Sequence, residues 1–273
     1  MKCVGRTHLA RMGRFLTNVA RLDGANDIRT NGELLVQDVV LSHYPGDREL
    51  IVFDVGANVG DWSIQLLNAR ERGKPRNGAL HAFEPVSSTM QIFRQNVSDT
   101  SGRNPGWNIL PVQKALSDKP GTSFIAVIDE GCGTNSIIPD SRQAVKRTEK
   151  IELTTVDDYC QANHISEIGL LKVDAEGHDL FVLHGARRFL ETKGIHVIQF
   201  EYNHRWVWSH TTLFDVFEYA KAVGYRVGKV TAHAIEFYER WDEELEKYVE
   251  GNYLFCRPDW VDRFPQIRWW KTS

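Results

Sequence analysis

Short apolar runs alternate with segments whose apolar positions recur at helical spacing, from Leu50 to about Val223. Residues 50–55, 79–84, 108–113, 168–173 and 195–200 predict buried strands. Residues 61–69, 87–97, the stretch carrying Leu180, Leu183, Ala186 and Leu190, and 211–223 predict amphipathic helices. Strands that alternate with helices make a parallel α/β sheet covered on both faces. Two further strands, 123–128 and 151–155, flank a polar, glycine-bearing stretch at 129–136 that reads as an insertion able to close over a ligand. Segments 225–230, 234–238 and 252–256 read as a terminal antiparallel hairpin. Strand starts at Leu50, Ala79, Asn108, Gly169, Ile195, Tyr225 and Asn252 number seven, which suits a doubly wound sheet with an antiparallel edge.

Outside this pattern lies residues 1–22, where Lys2, Arg6, Arg11, Arg14 and Arg21 occur with no acid. Leu9, Met12, Phe15, Leu16, Val19 and Leu22 would line one side of a helix there. The expectation is that this side packs on the domain, with docking to a surface as the alternative. The arm has no continuous apolar stretch of the signal-peptide type. No other segment reaches the roughly 18 apolar residues of a membrane span, so a cytoplasmic protein is expected. The organisation read from the sequence is an arm at 1–48, a domain at 49–258 and an aromatic tail at 259–273.

A formal net charge of -3 over 273 residues gives no electrostatic reason to expect nucleic acid or an anionic membrane as the main partner. A small molecule or a glycan fits better, and a homo-oligomer is compatible with the chain. Four cysteines at positions 3, 132, 160 and 256 form no C-x-x-C pair, which suits a reducing compartment without disulfides.

The chemistry begins where the strand at 50–55 runs into Gly56, Ala57, Asn58, Val59 and Gly60 and then a helix. Glycines let the backbone turn sharply and approach a ligand, and Asn tolerates positive φ. The next strand ends at Glu84, thirty positions after Asp54, where the second strand of a βαβ unit offers a carboxylate to ribose hydroxyls. The loop reads G-x-x-x-G rather than the dinucleotide G-x-G-x-x-G, and no G-x-x-x-x-G-K-[ST] phosphate loop occurs. That combination leaves S-adenosylmethionine as the nucleoside cofactor, against the plainer reading of a tight turn with no ligand.

Four motifs in order complete the pattern: the run from Phe53 to Gly60, His81 to Pro85, Lys172-Val173-Asp174-Ala175-Glu176-Gly177, and Gly251 to Phe255. Together they resemble the FkbM family of methyltransferases over about residues 51–257. The resemblance implies a class I methyltransferase fold with strand order 3-2-1-4-5-7-6, S-adenosylmethionine as donor, and an oxygen nucleophile, often a sugar hydroxyl. It also implies that Asp54, Gly56, Ala57, Asn58 and Gly60 form the cofactor loop and that Glu84, with Pro85, clamps the ribose. Gln113, Lys114 and Ala115 would then lie against adenine, and Asp174 beside the methionine end or the acceptor.

Methyl transfer is an in-line displacement, so an acceptor hydroxyl must be held close and relieved of its proton. Candidate proton acceptors are Asp174, His178 and His204. A divalent cation such as Mg2+ on Asp174, Glu201 and Asn203 is the other solution, since all three supply oxygen from strand ends. Glu176, Tyr202, Trp206 and Trp208 are candidate acceptor contacts, the tryptophans because aromatic faces stack on sugar rings and because six of the eight fall in the last 68 residues. Core packing is the plainer role for each. The function expected is O-methylation of a sugar, glycan or glycosylated metabolite. The alternatives are N- or C-methylation of a peptide or natural-product intermediate, or a non-catalytic nucleoside-binding module.

Overall fold

A computed structural model describes residues 3–23, 27–70, 72–73, 77–101, 106–129, 131, 133–138 and 140–272. Helices α1 (Cys3–Ala20) and α2 (Glu33–His43) precede strand β1 (Leu50–Val55), helix α3 (Asp61–Leu67), strand β2 (Gly78–Phe83), helix α4 (Ser87–Ser101) and strand β3 (Trp107–Val112). Three short strands follow, β4 (Ala115–Leu116), β5 (Gly121–Val127) and β6 (Arg147–Thr154), and then helix α5 (Val156–Ala162). The second half runs β7 (Ile168–Val173), α6 (Asp179–His184), α7 (Arg187–Glu191), β8 (Ile195–Tyr202), α8 (Leu213–Val223), β9 (Arg226–Val230), β10 (Ile235–Tyr238) and β11 (Gly251–Cys256).

The main sheet has the order β10-β9-β11-β8-β7-β1-β2-β3. Strands β3, β2, β1, β7 and β8 are parallel, and β11 inserts antiparallel between β8 and β9. Without β10 this is the order 3-2-1-4-5-7-6 of a class I methyltransferase. The sheet therefore has eight strands rather than seven, because 235–238 pairs with β9 as a full edge strand. Strand β1 shows why both faces are covered: Leu50 and Val52 pack into one apolar cluster with Val36, Val40 and Trp62, while Phe53 and Val55 join another with Leu180, Phe200 and Val216. A strand buried on both faces reads as a continuous apolar run, as this one does.

The chain ends depart from the sequence reading in opposite senses. Helix α2 is core, with Val36 and Val40 wholly buried, so the body begins before residue 49. The tail is also packed: Trp260, Phe264 and Trp269 are buried, and Gln266 bridges to Ile235. Helix α1 does not lay its apolar side on the domain, since every residue from 5 to 20 is exposed. The insertion forms its own small sheet, ordered β4-β6-β5, beside the carboxyl ends of β1 and β2. Among the described residues, Cys160 and Cys256 are buried free thiols, and no helix is long and apolar enough to cross a membrane.

Candidate active site

The parallel strands deliver their C-terminal loops to one edge. The loop after β1 is built for close approach: Gly56 has φ 74° and an added Cβ would lie 1.9 Å from the Asp174 carbonyl oxygen, so the β1 and β7 loops touch backbone to backbone. The Gly56 and Ala57 amides both donate to the Phe83 carbonyl at 3.0 Å. Asn58 has φ 46°, and its amide donates to Glu84 Oε2 at 3.2 Å. Glu84 Oε1 accepts from the Val86 amide at 2.8 Å. Two backbone donors thus hold this carboxylate in place, while burial pushes its pKa up to about 7.

These loops enclose a cleft of about 660 Å³, counting the space open to solvent. Gly56, Asn58, Glu84, Pro85, Ala115, Asp174, Glu176 and His178 line it, together with Gly133, Asn135 and Ser136 from the insertion. The stretch at 129–136 therefore forms part of the wall, held by a bond from Ser136 Oγ to the Glu176 carbonyl at 2.8 Å. Glu130 and Cys132 of that stretch lie outside the described residues. Asp54, Ala57, Gly60 and Lys114 do not line the cleft. Asp54 is wholly buried, accepts from Ser63 Oγ at 2.6 Å and lies 3.5 Å from Lys172 Nζ, so it ties β1 to α3 and β7. Gly60 instead makes room for Phe93, and the Lys114 ammonium pairs with Glu152 at 3.0 Å.

The turn after β7 is set by Asp179, whose carboxylate accepts from the Ala175 and Gly177 amides at 3.2 and 3.1 Å. It presents Asp174 and Glu176 toward Glu201, the next strand-end acid. Carboxylate oxygens of Asp174, Glu176 and Glu201 all lie within 4.8 Å of one another. Carboxylates this close repel one another when ionised, which favours proton uptake by the more buried ones. Burial first, and then the charges of Asp174 and Glu176, raise Glu201 well above the usual range, while burial and Asp174 raise Glu176 to about 9. Two cations oppose the excess: Lys172 lies 3.2 Å from Asp174, and Arg205 pairs with Glu176. Burial works against the charge on Lys172, but Asp174, Asp54 and Glu33 outweigh it and raise its pKa.

Of the cation candidates read from the sequence, Asp174 and Glu201 meet in this trio and Glu176 joins them, while Asn203 Oδ1 accepts from the Arg205 amide at 2.8 Å and its Nδ2 donates to Glu201 at 3.0 Å, which positions Glu201. The two histidines also separate. His178 reaches the cleft, but its Nε2 is bonded to Ser117 Oγ at 2.9 Å, its ring stacks on Phe181, and burial lowers its pKa to about 4. It is neutral and weakly basic. His204 is exposed and lines no described cavity.

Of the aromatic candidates, Tyr202 and Trp206 are wholly buried. The Tyr202 hydroxyl donates to Glu246 at 2.6 Å and accepts from the Tyr248 amide at 3.1 Å, and the Trp206 indole donates to the Glu201 carbonyl at 3.1 Å. Both are structural rather than acceptor contacts. Trp208 is half-buried with the Arg142 guanidinium 5.5 Å from its ring, so it anchors the insertion. The sequence reading gave no site role to Lys172, although a charged residue amid the apolar run 168–173 was a visible signal. Arg205 carried no such signal.

A second, polar cavity adjoins the acids, about 740 Å³ with its open mouth. Asn18, Asp23, Asn31, Glu201, Glu250 and Asn252 are among the residues lining it. Glu201 thus stands on the wall of one cavity while its neighbours Asp174 and Glu176 stand on the wall of the other.

The strand order, with a glycine-bearing loop after β1, a carboxylate at the end of β2 and acids at the ends of β7 and β8, defines a protein of the class I methyltransferase fold. Residues 54–227 match the methyltransferase FkbM domain, and the chain belongs to that family. Hexuronic acid methyltransferase AglP of Haloferax volcanii is similar, at 25% identity over 60% of this chain and 61% of its own length. The chain thus spans about three-fifths of that relative. Among solved structures, a methyltransferase FkbM from Methylobacillus flagellatus KT is similar with TM-score 0.45 and 17% identity, covering 80% of this chain and 47% of that one. A precorrin-6y C5,15-methyltransferase from Geobacter metallireducens GS-15 has TM-score 0.41 and 12% identity, over 86% of this chain and 94% of that one.

Proposed function

We propose that this protein is an S-adenosylmethionine-dependent O-methyltransferase whose acceptor is a hydroxyl of a sugar or sugar-bearing molecule. The observation that carries the reading is the position of the Asp174, Glu176 and Glu201 carboxylates between two cavities. One cavity has the loop, the ribose-type carboxylate and the apolar wall expected of a nucleoside site. The other is lined by polar side chains able to hydrogen-bond several hydroxyls.

S-adenosylmethionine supplies an electrophilic methyl group when bound. Glu84 would hold its ribose hydroxyls, the backbone at 56–58 its amino-acid end, and Ala115 and Leu116 its adenine. The chain's own part is to orient the acceptor and take its proton, and Asp174 and Glu201 stand where that proton leaves. Asp174, Glu176 and Glu201 also fit a divalent cation, which would relieve their mutual repulsion and lower the pKa of a bound hydroxyl. Protons released by Glu201 and Glu176 would accompany its binding. Similarity to a hexuronic acid methyltransferase supports the sugar class of acceptor.

The decisive experiment offers labelled donor to a panel of nucleotide sugars and glycans, with and without chelator. Transfer to a sugar hydroxyl that falls on chelation and returns with Mg2+ is expected. Transfer unaffected by chelator would leave proton removal to the carboxylates alone. Glu201→Gln should abolish transfer while keeping cofactor affinity. Calorimetry showing no binding of S-adenosylmethionine or its demethylated product would refute the function itself.

A further inference from the structure

Helix α1 is 18 residues long and stands with both its faces in solvent. Leu9, Met12, Phe15, Leu16 and Val19 follow i, i+3, i+4, i+7 spacing and form one apolar stripe. They are 52 to 66% exposed, and with Leu22 they make up half of the exposed large hydrophobic side chains among the described residues. Such a stripe is unfavourable in water, since large apolar side chains are stabilised by burial. Arg6, Arg11 and Arg14 lie on the rest of the circumference with Thr7, Ala10 and Thr17. No acid occurs anywhere in residues 1–22.

We propose that α1 docks in the plane of an anionic lipid bilayer, its apolar stripe at the acyl boundary and its arginines among the headgroups. Charge complementarity selects this occupant over a neutral surface. Of 33 Lys and Arg, five fall in residues 1–22, which leaves 28 against 36 Asp and Glu in the rest of the chain. The body is therefore repelled by an anionic surface, and attachment depends on the arm. Arg21, at the foot of the helix, is turned back onto the body, with Nε donating to Asp23 at 3.1 Å and its guanidinium contacting the Glu244 carbonyl. That contact fixes where the arm leaves the domain. Asn18, Leu22 and Asp23 at the same foot line the polar second cavity, so docking would set that cavity near headgroup level. The docking itself does not rest on the acceptor reading.

The test is co-sedimentation of the full chain with vesicles of phosphatidylcholine alone and of phosphatidylcholine mixed with phosphatidylglycerol. Binding to the mixed vesicles, weakened by salt, is expected, with little binding to neutral ones. Exchanging Arg11 and Arg14 for Gln should weaken it roughly thirtyfold, from the usual contribution of each basic residue near an anionic surface. Phe15→Asp with Leu16→Asp should weaken it by roughly a hundredfold or more. Circular dichroism and thermal melting of the body, which these side chains do not touch, check that both variants are folded. Absence of binding to mixed vesicles would overturn the proposal, as would equal, salt-insensitive binding to both compositions or unchanged binding of the Asp variant. A dimer by light scattering that Phe15→Asp with Leu16→Asp converts to monomer, with no vesicle binding, would assign the stripe to a second copy instead.

Discussion

Exchanging Glu84 for Gln probes the proposed cofactor site without changing side-chain shape. Glu84 Oε1 faces the Val86 amide at 2.8 Å and Oε2 faces the Asn58 amide at 3.2 Å, so both oxygens already accept from backbone donors. Gln offers one oxygen and one NH2 group, and either orientation turns that NH2 toward a backbone N–H. The bond lost there costs about 1–3 kcal/mol of stability, in the free and the bound protein alike. Binding is affected through the ribose. Hydroxyl bonds to a carboxylate contribute roughly 1.5–3 kcal/mol and those to a neutral amide about 0.5–1.5. Two such bonds, each weaker by about 1 kcal/mol, reduce affinity for S-adenosylmethionine about thirtyfold. Calorimetry above the Glu84 pKa of about 7 measures this with the parent carboxylate ionised. The parent's affinity should also rise with pH through that value, and the variant's should not. An affinity within about a factor of two of the parent's would mean that Glu84 does not hold the ribose.

Gly56→Ala should destabilise the fold by about 2 kcal/mol or more, from its φ of 74° and the 1.9 Å approach to the Asp174 carbonyl, and should weaken cofactor binding; an unchanged melting temperature would contradict the close contact of the β1 and β7 loops. Tyr202→Phe should cost about 1 kcal/mol of stability through loss of the Glu246 and Tyr248 bonds, and should leave the acceptor KM unaltered; a KM effect without a stability effect would return Tyr202 to the acceptor site. The ligand-free protein should lose stability as pH rises from 6.5 toward 9. Glu84 and Asp179, raised to about 7, and Glu176, raised to about 9, hold protons in the folded state that the unfolded chain has released, so their contribution is full below the ordinary carboxylate pKa and lost as pH climbs through the folded values. The buried His81, His178 and His196, lowered to about 4, act in the opposite sense only below 6.5. A melting temperature that rises across this range would show that these acids ionise freely.

The cleft at the ends of β1 and β2 was legible in the sequence because its geometry is local. Positive φ at Gly56 and Asn58 and the reach of Glu84 to the Asn58 amide belong to one βαβ unit, whose length and strand pattern are visible in the residues. Even there, side-chain direction was not. Asp54 stands one residue from the cleft in sequence and yet turns beneath it, because alternate residues of a strand point to opposite faces. The acid cluster beside it was harder, since a run of plausible residues at 201–208 divides between roles that only packing assigns. Glu201 meets the acids, Asn203 braces it, Tyr202 and Trp206 fill the core, and His204 faces solvent.

Periodicity and local turn chemistry were sufficient for the α/β class, the parallel core, the glycine-bearing turn after β1 and the placing of Glu84 opposite it, since each is set within a few tens of residues. Long-range juxtaposition was sufficient for none of these but decided the rest. Glu176 and Arg205 become partners because the turns after β7 and β8 are neighbours at one sheet edge, and β11 reaches its place between β8 and β9 only after the chain has formed the edge strand β10 and turned back. Helix α1 carries the same lesson in reverse. Its amphipathic pattern is plain in the sequence, but a pattern records only that an apolar stripe exists, and the tertiary structure shows that the domain leaves it uncovered.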